Sequence, residues 1–102
     1  MEKGHEELIK KAQGQPDIKD LMRVKVKFFS THREAVGRNE IEIELKEKAN
    51  INEMMNMLMN TYPELRKLID YTILSLNHRY ANGTEPLKDG DEVTIFPPVG
   101  GG

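Results

Sequence analysis

The last six residues carry the clearest chemical signal in this sequence: Pro97, Pro98, Val99, Gly100, Gly101 and Gly102. The two prolines lack the N–H that a strand ladder needs, so they end strand pairing and hold the departing chain extended. Glycine has no Cβ, so the residues that follow can thread a narrow channel. We therefore predict that residues 97–102 form a flexible tail whose reactive group is the free carboxylate of Gly102. For the glycines taken alone, a frayed terminus is the alternative.

Other reactive side chains are scarce. The sequence has no cysteine, which excludes disulfides, thiol nucleophiles and cysteine-ligated zinc or iron–sulfur centres. The three histidines, His5, His32 and His78, lack the spacing of a metal site, and we interpret each as a surface or loop residue. We therefore predict no metal site and no cofactor bound by the chain itself.

Composition indicates a single small domain and excludes several partners. The 102 residues carry a net charge of −2, with 15 basic and 17 acidic residues interspersed, and nucleic-acid binders usually show a basic stripe instead. The only short basic row, Arg23, Lys25 and Lys27, is equally well explained by a solvated strand face. No apolar run approaches the roughly 20 residues of a membrane span, and no secretion signal precedes the domain, so we expect a cytoplasmic protein.

Residues 1–21 differ from the rest of the sequence. They contain only a thin apolar stripe, which Gly14 and Pro16 interrupt. We expect them to be a mobile N-terminal extension of a domain at residues 22–96, with the tail at residues 97–102.

Alternating side chains predict two strands at the start of this domain. From Arg23 the apolar residues Val24, Val26 and Phe28 point one way, whereas the basic residues and Phe29 point the other. A loop with a turn at residues 37–39 follows, and residues 40–45 then alternate glutamate with Ile or Leu. Two such strands in sequence predict an antiparallel hairpin.

A helix is predicted next. Asn50 can cap its start, with Glu53 in the capping-box position, and Pro63 ends it. Apolar residues recur at the spacing of one buried face: Ile51, Met54, Met55, Leu58 and Tyr62. Strand candidates at residues 72–77 and 92–96 follow, with turn signals at Asn82-Gly83 and at residues 87–91. The order β-β-α-β-β predicts an α+β fold in which one helix packs across a mixed four- or five-stranded sheet, a β-grasp arrangement.

Two aromatic residues, Phe29 and Phe96, fall on faces that their neighbours mark as solvent-facing. A large aromatic side chain left in water forgoes roughly 1.5–3 kcal/mol of burial free energy, so an outward pair favours a partner-binding surface. Tyr80 extends this surface, and the strand of Phe96 leads directly into the tail. Coverage of these side chains by a loop or by the extension is the alternative.

Several segments together resemble a known family: Val26-Lys27-Phe28-Phe29 with Arg33-Glu34 and Gly37, Leu76-Asn77, Leu87-Lys88-Asp89-Gly90-Asp91-Glu92-Val93, and Phe96-Pro97-Pro98-Val99. Residues 22–102 resemble the MoaD family, the small subunit of molybdopterin synthase, within the ubiquitin-like β-grasp sulfur carriers of the MoaD/ThiS superfamily. The family tail reads Pro-Pro-Val-x-Gly-Gly, and Gly100 occupies its variable position. Residues 1–21 have no counterpart.

The resemblance implies a sulfur carrier with no catalytic side chains of its own. A MoeB-like adenylyltransferase would use ATP to adenylate the Gly102 carboxylate, and sulfide equivalents would displace AMP to leave a thiocarboxylate. The tail would then enter a MoaE-like large subunit, whose residues would catalyse sulfur transfer to the pterin precursor of the molybdenum or tungsten cofactor. Phe29, Tyr80 and Phe96 match the family's apolar docking surface, and Arg33 adds a charged contact.

Three other functions stay open from the residues. The adenylated Gly102 could be captured by a lysine, which would make the chain a ubiquitin-like protein modifier, alone or beside sulfur transfer. A ThiS-like carrier for thiazole synthesis ranks lower, because such chains lack the Phe-Pro-Pro-Val lead into the tail. A non-covalent β-grasp interaction module would need no tail chemistry, whereas a β-grasp ferredoxin is excluded by the missing cysteines.

Overall fold

The computed structural model describes residues 21–98, so the predicted extension up to residue 20 and the tail from residue 99 lie outside the described part of the chain. The strands are β1 (Leu21–Phe28), β2 (Glu40–Lys46), β3 (Ile73–Leu76), β4 (Arg79–Ala81) and β5 (Glu92–Phe96). The helices are α1 (Ser30–Val36), α2 (Ile51–Thr61) and a 3₁₀ helix (Pro63–Tyr71). The strands form one five-stranded sheet in the order β2-β1-β5-β3-β4.

The sheet is mixed, as predicted. Strands β1 and β2 form the predicted antiparallel hairpin, with Val24 opposite Ile43. Strand β5 lies parallel to β1, with Val26 beside Val93, and antiparallel to β3. Placing the last strand beside the first brings the residues before the tail next to the end of β1. This topology, with a helix packed on one face, is the predicted β-grasp fold.

One face of the sheet packs against the helices and forms the core. Alternate residues of β1 and β5 are buried in one cluster with the apolar face of α2, as the period-two and helical patterns predict. The fully buried large side chains include Val24, Val26, Phe28, Ile51, Met54, Leu58, Leu65, Val93 and Ile95. We call this the inner face, and the opposite one the outer face.

Two elements were missed by the sequence analysis. Residues 30–36, predicted as loop, form α1, which ends at Gly37 in a left-handed conformation with a φ of 84°. This helix has seven residues and buries only His32, so it has no periodic apolar stripe that a pattern could reveal. The second missed element is β4, which is only three residues long.

The hairpin turn in the last third of the chain lies elsewhere than at Asn82-Gly83. Strands β3 and β4 pair up to Leu76 and Arg79, so the two-residue turn is Asn77-His78, and both residues have positive φ. That is the geometry of the type I′ turns that suit the twist of a hairpin. Asn82 and Gly83 form a turn after β4 instead, where the Asn82 side chain accepts hydrogen bonds from the backbone and the hydroxyl of Thr84.

This turn after β4 closes over the N-terminus of α2. Asn50 and Glu53 form the predicted reciprocal capping box, with both hydrogen bonds at 2.9 Å. The next free backbone donors of α2, at Ile51 and Asn52, bond the carbonyls of Glu85 and Gly83. The helix therefore begins with its backbone donors satisfied within the chain, as a stable N-terminus requires.

The Glu85 carboxylate organises the same turn from the other side. It accepts hydrogen bonds from the backbone N–H groups of Asn82 and Gly83, and these bonds hold the pKa of Glu85 below its usual range. Gly83 has a φ of 105°, and a Cβ at this position would clash with Oδ1 of Asn52. The positive φ therefore favours a glycine here, and a Cβ would in addition displace the Asn52 side chain.

Candidate functional site

The outer face of the sheet brings together the aromatic residues that the sequence singled out. Phe28 pairs with Ile95, and the backbone N–H of Phe29 donates to the Ile95 carbonyl at 3.1 Å, which places Phe29 beside Phe96. Phe29 is 47% exposed, so its predicted outward direction is confirmed. Phe96 lies on the same face but is half-buried, so it is less exposed than its position in the strand suggested.

Tyr80 lies on the same face, two strands away. Thr94 of β5 faces Ser75 of β3, and Ser75 faces Tyr80 of β4, so these three side chains form a row across the sheet. Tyr80 is 79% exposed, the largest value among the exposed apolar residues of the described chain. A large aromatic side chain with this much exposure is typical of a partner-binding surface.

Ile73 completes this surface, and the sequence analysis did not name it. It pairs directly with Phe96, and Tyr80 is its diagonal neighbour on β4. Side chains in such positions are roughly 7–8 Å apart or closer, within reach of an aromatic ring. The alternation of Ile73 and Ser75 against Leu74 and Leu76 was the signal that could have placed Ile73 outward. We call Phe29, Ile73, Tyr80 and Phe96 the apolar patch.

Arg33 lies outside the apolar patch. It is exposed on α1, about one turn after Phe29, and lines a shallow concavity with Gly37, Arg38, Asn39 and Glu40. Its backbone carbonyl accepts a hydrogen bond from Gly37 at 2.7 Å, so the helix end is fixed while the guanidinium faces solvent. The structure thus exposes a positive charge on α1, about one turn along the chain from Phe29, and the predicted charged contact stays a prediction.

The first two residues of the predicted tail, Pro97 and Pro98, directly follow Phe96 of the apolar patch, and we call them the tail root. Phe96 ends β5, and Pro97 and Pro98 follow it without strand pairing, as their missing N–H groups predict. The predicted functional residues Val99, Gly100, Gly101 and Gly102 lie outside the described residues. Whatever binds the patch therefore lies next to the point where residues 99–102 depart.

The other half of the outer face is charged and paired. Lys25 lies 3.8 Å from Glu40, Lys27 lies 3.4 Å from Glu92, and Arg23 lies within 4 Å of both Glu42 and Glu44. Each basic residue of the row on β1 therefore faces a carboxylate of a neighbouring strand. A row neutralised in this way does not form the positive stripe that a nucleic acid would require.

His32 is buried, so its interpretation as a surface or loop residue was wrong. It is 0% exposed, and its Nε2 lies 2.8 Å from the Thr72 hydroxyl, which donates to the Leu68 carbonyl at 2.6 Å. Because the hydroxyl has one proton to give, Nε2–H of His32 must donate to it. Burial lowers the pKa of His32, so the ring is held neutral. This link joins α1 to the end of the 3₁₀ helix.

His78 is the exposed histidine of the described chain. His78 lies in the β3–β4 turn with its ring 4.0 Å from Glu92. Within residues 21–98, no group of three or more His, Asp or Glu side chains could hold a metal ion. Among the helices of the same residues, none is long and apolar enough to cross a bilayer.

An apolar concavity of about 540 Å³ lies at the opposite end of the sheet from the tail root. It is lined by Leu21, Met22, Glu47, Lys48, Pro86, Leu87, Lys88 and Asp89. Among the predicted site residues that the structure describes, none borders it. The surface that joins aromatic residues to the tail root therefore remains the candidate functional site.

Comparison with known proteins identifies the family. A sequence profile of the ThiS family matches residues 26–102. The molybdopterin synthase sulfur carrier subunit of Chlamydomonas reinhardtii is 36% identical over 83 residues, which cover 79% of this chain and 100% of that protein. Small archaeal modifier protein 3 of Haloferax volcanii is 32% identical over 92 residues, with 79% of this chain and 100% of that protein covered.

A solved structure adds a similar chain in a complex. It is the protein–protein complex of subunits 1 and 2 of the molybdopterin-converting factor from Helicobacter pylori. The similar chain is 29% identical and superposes with a TM-score of 0.57, covering 79% of this chain and 100% of its own length. With a profile match over most of its length and full-length relatives above 30% identity, this chain belongs to the ThiS family of the MoaD/ThiS sulfur carriers.

Proposed function

We propose that this chain is the sulfur carrier subunit of a molybdopterin synthase and carries sulfur as a thiocarboxylate on Gly102. The observation that carries the proposal is the 36% identity to a molybdopterin synthase sulfur carrier subunit across the whole of that relative. The profile match that extends to residue 102 supports the inclusion of the glycine tail. The exposed aromatic residues beside the tail root supply the docking surface that a carrier without catalytic side chains needs.

The chemistry would reside entirely on the Gly102 carboxyl group. An oxygen of the carboxylate attacks the α-phosphorus of ATP on an activating, MoeB-like enzyme, and pyrophosphate leaves. A sulfide equivalent then adds to the acyl adenylate and expels AMP, which leaves a thiocarboxylate. In the synthase, sulfur passes to the pterin precursor and water restores the carboxylate. Magnesium-ATP belongs to the activating enzyme, so the carrier contributes a reactive end and a means of presenting it.

The partner in the synthase would be a large, MoaE-like subunit. The solved Helicobacter pylori complex joins subunits 1 and 2 of a molybdopterin-converting factor, and one of its chains is similar to this one. In a complex, the aromatic side chains of the apolar patch would be buried against the partner, and buried aromatic residues of this kind dominate binding free energy. Arg33, exposed on α1 four residues after Phe29, would add an electrostatic contact that guides orientation more than it adds affinity.

Intact mass after activation tests the proposal. The full chain is incubated with ATP, its cognate activating enzyme and a sulfur donor, beside a variant that lacks Gly101 and Gly102. We expect the full chain alone to gain the mass of one oxygen-to-sulfur exchange, located on Gly102 by fragmentation. A chain whose mass does not change with a competent activating enzyme is not a sulfur carrier.

Protein modification is the second candidate function. It is favoured by the 32% identity to small archaeal modifier protein 3 of Haloferax volcanii, again across that protein's full length. The same adenylate would then be captured by a lysine amine of a target, with formation of an isopeptide bond and release of AMP. Enrichment of lysine conjugates from cells, lost when Gly102 is deleted, would establish this role beside or in place of sulfur transfer.

A further inference from the structure

Two exposed apolar side chains lie just before β3 in the chain without belonging to the apolar patch. Ile69 is 43% exposed and Tyr71 is 64% exposed, and both lie at the C-terminal end of the 3₁₀ helix. Most of that helix is polar on its exposed side, with Glu64, Arg66, Lys67 and Asp70. An exposed tyrosine and isoleucine at one end of such a helix are therefore not explained by the core.

The backbone after the 3₁₀ helix aligns Tyr71 with the outer face. Thr72 is extended, with a φ of −117° and a ψ of 125°, and its hydroxyl turns inward to His32. In extended backbone, the residues on either side of such a position point the opposite way. The Tyr71 side chain therefore points to the same side as that of Ile73 and continues the apolar patch beyond the first residue of β3.

Strand register brings Tyr71 to the tail root. Ile73 pairs with Phe96 in the antiparallel ladder of β3 and β5. The ladder ends at this pair, so Tyr71, two residues before Ile73, and Pro98, two residues after Phe96, both lie just beyond the same end of the sheet. A partner that takes in residues 99–102 must therefore approach Tyr71 closely.

The area of the apolar patch also argues for an additional contact. A fully buried aromatic side chain contributes about 150–250 Å². Phe29 and Tyr80, the two most exposed members of the apolar patch, therefore offer a partner roughly 200–300 Å² together. A stable interface takes about 800 Å² from each partner. Tyr71 alone adds roughly 100–160 Å² by the same measure, and Ile69 adds more.

We propose that Tyr71 and Ile69 form a second contact site for the large subunit of molybdopterin synthase, beside the entrance through which that subunit admits the tail. The inference rests on the proposed function and deepens it. Continuity with the apolar patch assigns the site to the partner that binds the patch. Phe96 and Tyr71 would then both contact the partner at the end of the sheet where Pro97 and Pro98 follow β5.

Calorimetric binding tests this site with the full chain and the large subunit of the same organism. Tyr71→Ser should raise the Kd roughly 10-fold or more, as an interfacial tyrosine would. Ile69→Ser, a second variant, should raise it by a smaller factor. Lys67→Ser is the matched control, since Lys67 is exposed on the same helix and forms an ion pair with Glu64, and the Kd of this variant should stay within about twofold of wild type. Circular dichroism confirms that each variant is folded.

Tyr80→Ser separates this inference from the function on which it rests. If Tyr80→Ser weakens binding while Tyr71→Ser and Ile69→Ser leave the Kd unchanged, the second contact site is wrong and the proposed function stands. If Tyr71→Ser slows thiocarboxylate formation but not binding to the large subunit, the site belongs to the activating enzyme and the inference is overturned. If the wild-type chain does not bind the large subunit at all, both proposals fail together.

Discussion

Phe28 and Phe29 are adjacent in the chain and occupy opposite faces of the same sheet. Phe28 is 1% exposed and lies in the core, whereas Phe29 is 47% exposed and lies in the apolar patch. The same side chain therefore serves stability at one position and is left in solvent at the next. Faces of a strand alternate, so neighbouring residues can be assigned different tasks without any change of residue type.

The two faces of the sheet differ as a whole in the way that Phe28 and Phe29 differ. The inner face is sealed by α2, α1 and the 3₁₀ helix, and no side-chain nitrogen or oxygen buried there among residues 21–98 lacks a hydrogen-bond partner. The outer face is divided between paired charges on β1 and β2 and apolar side chains next to the tail root. Changes on the inner face should therefore cost stability, and changes on the outer face should cost binding.

The largest effect is expected from the phenylalanine pair itself. Phe28→Ala should lower the free energy of unfolding by about 3–5 kcal/mol, because it leaves a cavity in a packed core. Phe29→Ala, its matched control, should lower it by less than about 1 kcal/mol while weakening binding to the large subunit. Urea denaturation measures the first quantity and calorimetry the second. Equal losses of stability for both variants would contradict the division of the two faces.

A somewhat smaller effect is expected at Gly83, where the turn after β4 closes the inner face over α2. Gly83→Ala should destabilise the fold by about 1–3 kcal/mol, since alanine is strained at positive φ and its Cβ would meet Asn52. Adding Asn52→Ala removes the steric contact but not the strained φ. The double variant should therefore recover part of the loss in thermal or urea unfolding, and full recovery would show that φ strain contributes nothing there.

Most of the fold was predictable from the sequence, because its main elements obey strong periodic patterns. The alternation in β1, β2 and β5 and the capping box of α2 were predicted where the structure has them. The helix α1 and the strand β4 were missed, since seven and three residues are too few to show a period. The signal at Asn82-Gly83 predicted a turn correctly, but it did not predict that this turn packs against the N-terminus of α2 and accepts hydrogen bonds from it.

The site was predictable only in part. The outward direction of Phe29 follows from strand alternation, whereas Tyr80 was assigned to the same surface without a predicted strand, and the structure exposes both side chains. Ile73 and Tyr71 were missed, because their position beside the tail root depends on the pairing of β3 with β5, which is a contact between distant parts of the chain. His32 was misread for the same reason: its partner Thr72 is 40 residues away.

A moderate and pH-dependent effect is expected from His32, the titratable side chain buried with α1 on the inner face. Because burial lowers its pKa in the folded state, the unfolded chain binds more protons as pH falls below the usual 6.5. Stability should be fully present above pH 6.5 and decline below it, by at most about 1.4 kcal/mol per pH unit for one proton.

The matched variant for this effect is His32→Gln, whose amide can still donate to Thr72 but does not titrate. Among residues 21–98, none of the ion pairs includes His32, and the charged residues of the 3₁₀ helix that packs against α1 are exposed. The wild type should therefore lose stability relative to His32→Gln as pH is lowered from 7 to 5. A difference that stays constant over this range would exclude His32 as the titrating group.

The smallest effect is expected from the paired charges of the outer face. Arg23 lies 3.7 Å from Glu42 and 3.6 Å from Glu44, but all three side chains are more than half exposed. Solvent screens such pairs, so Arg23→Ala should change the free energy of unfolding by less than about 1 kcal/mol. Added salt should shrink the difference further.

Because this half of the face is already neutralised within the chain, Arg23→Ala should also leave the Kd for the large subunit unchanged, in contrast to Phe29→Ala a few residues away on the same strand face. A Kd that rises as much for Arg23→Ala as for Phe29→Ala would show that the partner covers the whole outer face and that its two halves share one task.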